Sequence, residues 1–335
     1  MLVYVIALTG KFIFGLLPLD FAVRLGGWLG RCARPFCGKI RKISLINLDL
    51  AYGDEKTRAE KEEIIRRMFD HLGRSIVETL TNHAWTLPTM RARIECDEHI
   101  QRGKEWLQGN GLIVITAHMG SWELFPRFIT QAQDLPGGIV ARDLHNPLME
   151  KMLYQSRESE KLKVLMRGKS GRSLIHFLRE NNALGILGDQ DTRLGPGIFV
   201  DFFGRPTYTQ LGVWRLAKLA KSRVIVAFIV RQPDGLRHRI EFERELTLPP
   251  ELSDDDSARQ FTQEFTRGIE AYIRKHPEQW IWFHQRWRRQ PAEAGAKQKW
   301  IKGDPFINTE HYKSALGKKR VKKRKKRAHT HAQVK

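Results

Sequence analysis

Two short apolar runs constrain the fold of this chain more than anything else in it: LIVIT at 112–116 and VIVAFIV at 224–230. A strand with one wet face alternates polar and apolar residues. Uninterrupted runs of this length therefore read as strands covered on both sides, as in a parallel sheet with helices on each face. The segments between them support that reading. Residues 138–141, 162–166 and 184–187 read as further strands, with 121–132, 147–160, 171–181 and 209–221 as helices. Residues 57–83 form an earlier helix, with Ile65, Met68, Leu72, Ile76 and Leu80 at steps of three or four and Asp54 or Thr57 available as N-cap. Residues 237–242 alternate as a hairpin partner for 224–230 would, and 257–275 carry Phe261, Phe265, Ile269 and Ile273 in helical register. The Gly/Pro-rich stretch 192–208 reads as a loop. The expected fold is a single α/β sandwich with a largely parallel central sheet, spanning 31–300.

Both ends of the chain depart from this pattern. Residues 1–10 and 12–19 carry no charge, and Lys11, Pro18, Asp20 and Arg24 interrupt the stretch. A clean span needs about 20 apolar residues. A secretory signal would place its basic residues before the apolar run, and here they follow it. Arg24, Arg31, Arg34, Lys39, Arg41 and Lys42 lie on the C-terminal side, which by the positive-inside rule keeps the rest of the chain in the cytoplasm. Residues 1–30 are therefore expected to anchor the chain at a membrane, as a short span or an interfacial helix. At the other end, residues 313–335 hold eleven basic residues and no acidic one, and are expected to be disordered.

The net charge is +21, from 58 Lys plus Arg against 37 Asp plus Glu. Such a chain favours anionic partners: lipid headgroups, an acidic carrier protein, or nucleic acid. Cys32, Cys37 and Cys96 form neither a disulfide framework nor a zinc spacing, which suits a reducing compartment.

Three histidines stand five positions before a carboxylate: His118 before Glu123, His145 before Glu150 and His238 before Glu243. Such a pair can act as a base and its orienter, but the spacing alone does not select one. His238 and Glu243 lie in the alternating strand, where an offset of five puts them on opposite faces. Glu150 has Lys151 as an ordinary surface neighbour. His118 comes two residues after LIVIT, and sites in parallel sheets gather at the carboxyl ends of strands. Gly120 permits a sharp turn, Ser121 can cap the next helix, and Glu123 falls in its first turn. Neutral His118 could take a proton from a hydroxyl attacking a thioester, with Glu123 fixing its tautomer. The same residues also fit a satisfied histidine and an ordinary helix-start carboxylate.

Ala117-His118-Met119-Gly120-Ser121-Trp122-Glu123 resembles the H-x4-D/E motif of the glycerolipid acyltransferases, and more narrowly the lipid A biosynthesis (lauroyl/myristoyl) acyltransferase family. Four further blocks follow in that family's order: Arg142 with Asn146-Pro147, Gly188-Asp189-Gln190-Asp191, the turn 199–204 with Phe199, Phe202 and Phe203, and Pro277-Glu278-Gln279-Trp280 with Arg286-Trp287-Arg288. The resemblance covers about residues 1–290. It implies a cytoplasm-facing enzyme of the inner membrane that moves an acyl chain from acyl carrier protein to a hydroxyl of a phosphorylated glucosamine lipid. It implies no metal and no organic cofactor, and the basic tail lies outside it.

Within this reading His118 and Glu123 are the catalytic candidates and Arg142, Asn146, Asp189 and Asp191 the substrate-binding ones. A fixed guanidinium at Arg142 suits a phosphate or an oxyanion. Asp189 and Asp191 follow a strand end, where carboxylates can organise a site by hydrogen bonds, or hold Mg²⁺, the less favoured option. Phe199, Phe202 and Phe203 suit either an acyl groove or plain core. Trp280, Trp282 and Trp287 among Arg286, Arg288 and Arg289 suit a membrane interface. Two competing readings stay open: an acyltransferase with another phospholipid or glycolipid acceptor, and a non-catalytic basic protein that coats anionic membrane or nucleic acid.

Overall fold

The computed structural model describes residues 2–81, 84–101, 103–107, 109–141, 146–166, 171–191, 196–248, 251–291 and 307–308. Arg142, His145 and the basic tail lie outside the described residues.

Four helices open the chain: α1 (Leu2–Gly15), α2 (Leu19–Ala33), α3 (Gly38–Tyr52) and α4 (Arg58–Leu80). Thr57 starts α4 through a reciprocal capping box. Its side chain accepts from the Glu60 amide at 3.3 Å, and Glu60 accepts from the Thr57 amide at 2.7 Å. The stretch 1–30 is thus two helices broken at Pro18. Fourteen residues of α1 make only about 21 Å of helix, short of a hydrocarbon core of about 30 Å. Among the described residues no helix is long and apolar enough to cross a membrane. α2 lies against α4 with backbones touching: a Cβ on Gly30 would stand 2.1 Å from the Phe69 carbonyl oxygen, and one on Gly73 2.2 Å from that of Gly26.

The remainder is the β/α alternation: α5 (Leu87–Arg93), β1 (Ile94–Cys96), the single turns α6 (Glu98–Gln101) and α7 (Gly103–Trp106), β2 (Leu112–Thr116), α8 (Leu124–Gln131), β3 (Gly137–Ala141), α9 (Pro147–Arg157), β4 (Leu162–Met166), α10 (Gly171–Arg179) and β5 (Ala183–Leu187). Then come β6 (Gly197–Phe202), β7 (Arg205–Gln210), α11 (Gly212–Ala220), β8 (Arg223–Arg231), β9 (His238–Leu246) and α12 (Asp254–Lys275), with a last short pair β10 (Arg289–Gln290) and β11 (Ile307–Asn308). Seven strands form the central sheet in the order β1-β9-β8-β2-β5-β3-β4. β8, β2, β5, β3 and β4 run parallel, β9 returns antiparallel to β8, and β1 joins parallel to β9.

Both faces of the sheet are covered at β2 and β8, which is why those two strands do not alternate in polarity. Ile113 and Ile115 of β2, with Val224, Val226 and Phe228 of β8, enter the core that includes Met68, Phe261 and Phe265. Their neighbours Leu112, Val114, Ile225 and Ala227 enter a second core with Phe125 and Phe128 of α8.

Two expectations are corrected. Part of the stretch read as a loop, 192–208, forms the β6–β7 hairpin. Its Gly and Pro residues read as loop chemistry, and Phe203 and Gly204 make the turn with φ of 56° and 67°. Trp280, Trp282 and Trp287 are not at a membrane interface: they are buried in the core. Arg286 is buried beside them and donates to the Tyr208 carbonyl at 2.8 Å and to Thr209 Oγ1 at 2.7 Å. Aromatics interleaved with arginine look interfacial in a sequence, but here the arginine is an internal hydrogen-bond donor. Phe199, Phe202 and Phe203 are also core, packed in the hairpin against that cluster.

Candidate active site

β2 and β5 are adjacent and parallel, with Thr116 level with Leu187. Two residues further along each strand, His118 and Asp189 therefore come level at the carboxyl end of the sheet. They meet there: Asp189 Oδ1 stands 2.8 Å from His118 Nδ1, and Oδ2 accepts from the His118 backbone amide at 3.1 Å. Trp280 Nε1 donates to the same Oδ2 at 2.8 Å. Asp189 is buried, while the His118 side chain keeps 21% of its surface. Burial alone pushes the imidazole's pKa down. The Asp189 charge and hydrogen bond, with Glu123 adding to them, outweigh burial and hold it above its usual value. Burial likewise pushes Asp189 up, and the His118 and Trp280 contacts override it and bring the carboxyl down to about 2. With a carboxylate on Nδ1, the neutral ring carries its proton there and leaves Nε2 as the basic nitrogen.

The expected partnership of His118 with Glu123 is not the one formed. Glu123 makes a two-pronged ion pair with Arg157 of α9, at 2.8 and 2.6 Å, and accepts from Trp122 Nε1 at 3.2 Å. Its carboxylate reaches His118 as a nearby charge, not as a hydrogen-bond partner.

The turn between them is clamped from below. Ser121 does not cap α8. It donates to Glu78 of α4 at 2.6 Å. Glu78 and Arg231 are entirely buried, and the guanidinium reaches the carboxylate at 2.5 and 2.7 Å. His238 Nε2 lies 3.1 Å from the same carboxylate. Burial opposes the charge on Glu78, and Arg231 and His238 overcome it, so its pKa falls below the usual carboxylate range. His238 therefore pairs with α4, and Glu243 pairs with Arg244 instead. Ser75 donates to the Gly120 carbonyl at 3.0 Å, and the Gly120 amide donates to the Gln279 carbonyl at 3.1 Å. Gln279 in turn exchanges two hydrogen bonds with the Arg231 backbone. Gly120 has φ of 57°, and a Cβ there would stand 1.9 Å from the Ile229 carbonyl oxygen, so the turn admits glycine alone.

An apolar pocket opens beside this turn, with an empty volume of about 710 Å³, open mouth included. α8 supplies Phe125, Pro126 and Ile129, and β3 and β5 supply Gly138, Ile139 and Gly185. Trp122, Glu123 and Arg157 are among its polar-bearing walls. The Trp122 ring meets His118 edge-on, with centroids 5.6 Å apart.

The other candidate residues have structural partners. Asn146 caps α9, accepting from the Leu148 and Met149 amides at 3.1 and 3.3 Å. Asp191 is buried and lies 3.3 Å from Arg289 and 3.7 Å from Arg288. Among the described residues no group of three or more His, Cys, Asp or Glu is arranged to hold a metal ion. Sequence reasoning did not single out Arg157, Glu78 or Arg231. Arg157 sits at the last turn of a helix, where a basic residue has an ordinary explanation. A lone Arg at the end of the strongest strand, by contrast, was a signal that a buried carboxylate waits for it.

The sequence model for bacterial lipid A biosynthesis acyltransferases matches residues 1–289. The chain is 28% identical over 282 residues to the lipid A biosynthesis palmitoleoyltransferase of Escherichia coli, covering 82% of this chain and 88% of that one. It is 27% identical over 281 residues to the lauroyltransferase of the same organism, at the same coverage. A lipid A biosynthesis acyltransferase of Haemophilus influenzae is 26% identical over 267 residues, covering 78% of this chain and 79% of that one. The chain with His118 and Asp189 at its sheet end thus belongs to the bacterial lipid A biosynthesis acyltransferase family and is an acyltransferase.

Proposed function

We propose that this chain moves a fatty acyl group from an acyl carrier protein thioester to a hydroxyl of a phosphorylated glucosamine lipid, a lipid A precursor, at the cytoplasmic face of the inner membrane. One observation carries the reading: a histidine held at Nδ1 by a buried carboxylate, beside an apolar pocket. The acyl chain enters the pocket. His118 Nε2 takes the proton of the acceptor hydroxyl as its oxygen bonds to the thioester carbon. The C–S bond then breaks, and the imidazolium returns the proton to the leaving thiolate. Asp189 orients the ring and stabilises the imidazolium. Glu123 holds Arg157 at the pocket mouth, where the guanidinium can meet the oxyanion.

The exposed apolar side chains of the first helices support membrane attachment. In α1 Ile6 is 61% exposed and Phe12 69%, and in α2 Phe21 is 55% exposed and Trp28 53%. An apolar face of this kind favours a helix lying in the interface. In this reading residues 1–30 anchor the chain, 31–300 carry catalysis, and 313–335 add cationic attraction to the surface. The net charge of +21 also suits an acidic carrier.

Mass spectrometry of the host's membrane glycolipids, with and without the gene, tests the reading. Loss of one acyl chain from lipid A is expected on deletion. Unchanged lipid A with an altered phospholipid would assign another acceptor, and no change in any lipid would sink the proposal. The same measurement tests the pocket. A Cβ on Gly185 would stand 3.5 Å from Ile139, an ordinary contact, so Gly185→Ala is tolerated. Gly185→Leu fills the space that the acyl chain needs, and the transferred chain becomes shorter. An unchanged chain length in an active Gly185→Leu enzyme would remove the acyl chain from this pocket.

A further inference from the structure

Lys11 is the only charged residue among the first nineteen. A cation on an otherwise apolar helix is costly where it meets hydrocarbon, so such residues usually face a polar site. Lys11 does so. Gly10 brings α1 close to the end of α4, where a Cβ would stand 3.3 Å from Leu80 Cδ1. Lys11 then lines a cleft of about 800 Å³, open mouth included, whose other walls include Arg127 of α8 and Arg157 of α9. Gln131 adds a neutral amide, and Glu158 is its acidic lining residue. A narrow gap lies between this cleft and the acyl pocket, sharing Arg127 with the one, Glu123 with the other and Arg157 with both.

Among the described lining residues three cations face two carboxylates, Glu158 in the cleft and Glu123 at Arg157, which leaves that described lining with a net positive charge. Arg127 is half-buried, and burial lowers its pKa from the ordinary value. Its Nε donates to Gln131 at 3.3 Å. An anion in the cleft would offset that burial. The cleft neighbours an apolar pocket on one side, with Arg157 in both walls, and an apolar helix on the other, which fits an amphiphile with an anionic head. A guanidinium and a lysine point charge, beside the Arg157–Glu123 pair, suit the tetrahedral oxygens of phosphate.

We propose that Lys11, Arg127 and Arg157 form a phosphoryl subsite that seats a phosphate of an acyl-transfer substrate while its reacting group lies at His118. The assignment to a substrate rests on the acyl-transfer reading. The subsite itself does not, and can be measured without turnover.

The first measurement is binding of dioctanoyl phosphatidic acid and of dioctanoylglycerol to the full chain in detergent. The wild type should bind the phosphate-bearing lipid more tightly. Lys11→Gln with Arg127→Gln should weaken that binding roughly tenfold or more and leave dioctanoylglycerol unchanged. Lys11→Arg should keep the preference, which separates charge from any disturbance of α1. A wild type that does not distinguish the two lipids overturns the subsite, whatever becomes of the acyl-transfer reading. The second measurement varies each substrate in the transfer assay. A rise in KM for a phosphorylated acceptor, absent for the dephosphorylated one, assigns the subsite to the acceptor. A rise in KM for the carrier-bound donor alone assigns it to the phosphodiester of the carrier's thiol arm. An active double variant with neither KM changed overturns the substrate assignment.

Discussion

His118→Ala is expected to lower kcat for acyl transfer on the order of 10³-fold or more while KM for both substrates changes little. General-base catalysis by a placed imidazole supplies about 10²–10⁴-fold, and removal of a base that is also the later acid falls at the upper end. The protein should still fold. Among the described residues the His118 side chain has one hydrogen-bond partner, Asp189, and that carboxylate keeps the Trp280 indole and the residue 118 amide as donors. A thermal melt within a few degrees of wild type, together with unchanged binding of a non-reactive donor analogue, would place the defect in chemistry. The competing idea of a non-catalytic basic protein makes the opposite prediction. There, removing residues 313–335, with their eleven basic residues, abolishes function and His118→Ala is silent. A chain ending at residue 312 is expected instead to retain kcat, with weaker attraction to anionic vesicles that salt abolishes for both. A fully active His118→Ala enzyme would end the catalytic reading of the whole sheet terminus.

The elements that were legible in the sequence are those whose burial is decided locally. β2 and β8 are covered on both faces, so each residue had to be apolar, and the runs LIVIT and VIVAFIV followed. The cap of α4 needed only Thr57 and Glu60, three positions apart. The β6–β7 hairpin was hidden because its turn and its flanking Gly and Pro carry loop chemistry, while the pairing that makes it a hairpin lies across the turn. The tryptophans of 280–287 were misplaced for a related reason. Their neighbours are arginines, and only the tertiary fold shows that Arg286 turns inward to Tyr208 and Thr209.

The candidate site shows the same division. His118 could be found because it follows a recognisable strand. Its partner could not, because local spacing offers Glu123, whereas Asp189 is level with His118 only once β5 is known to lie beside β2. Strand order is a property of the whole sheet. Three of the five blocks of the family resemblance become intelligible in this light. Gln279 and Trp280 close over the ends of β8 and β5, Glu78 and Ser75 hold residues 120 and 121 from α4, and the blocks around His118, Asp189 and Trp280 converge on a single imidazole.

Which carboxylate serves that imidazole is decided by comparing Asp189→Asn with Glu123→Gln. In Asp189→Asn the neutral amide can still accept from Trp280 or the residue 118 backbone. Its other end then presents an N–H to His118 Nδ1. That donor is satisfied only if Nδ1 is the unprotonated nitrogen, which moves the ring proton to Nε2 and removes the base. A loss on the order of 10²–10⁴-fold in kcat is expected from this wrong tautomer. The pH profile distinguishes the effect from a general loosening. Burial lowers the His118 pKa, and the Asp189 charge is the main influence that raises it above the ordinary 6.5. Activity requires the neutral ring, so in the wild type the acid limb of kcat/KM lies above that value. Removing the charge lets burial dominate, and the limb of the residual activity moves to lower pH. Glu123→Gln is different. It leaves the His118–Asp189 bond in place and frees Arg157, so the limb moves less, in the same direction, because Glu123 contributes only as a neighbouring charge. Its loss appears in kcat through an unheld guanidinium, and Arg157→Gln should reproduce most of it. The reverse outcome, with Glu123→Gln moving the limb furthest and Asp189→Asn leaving it in place, would restore the pairing that the five-residue spacing suggests and displace Asp189 from the role given to it here.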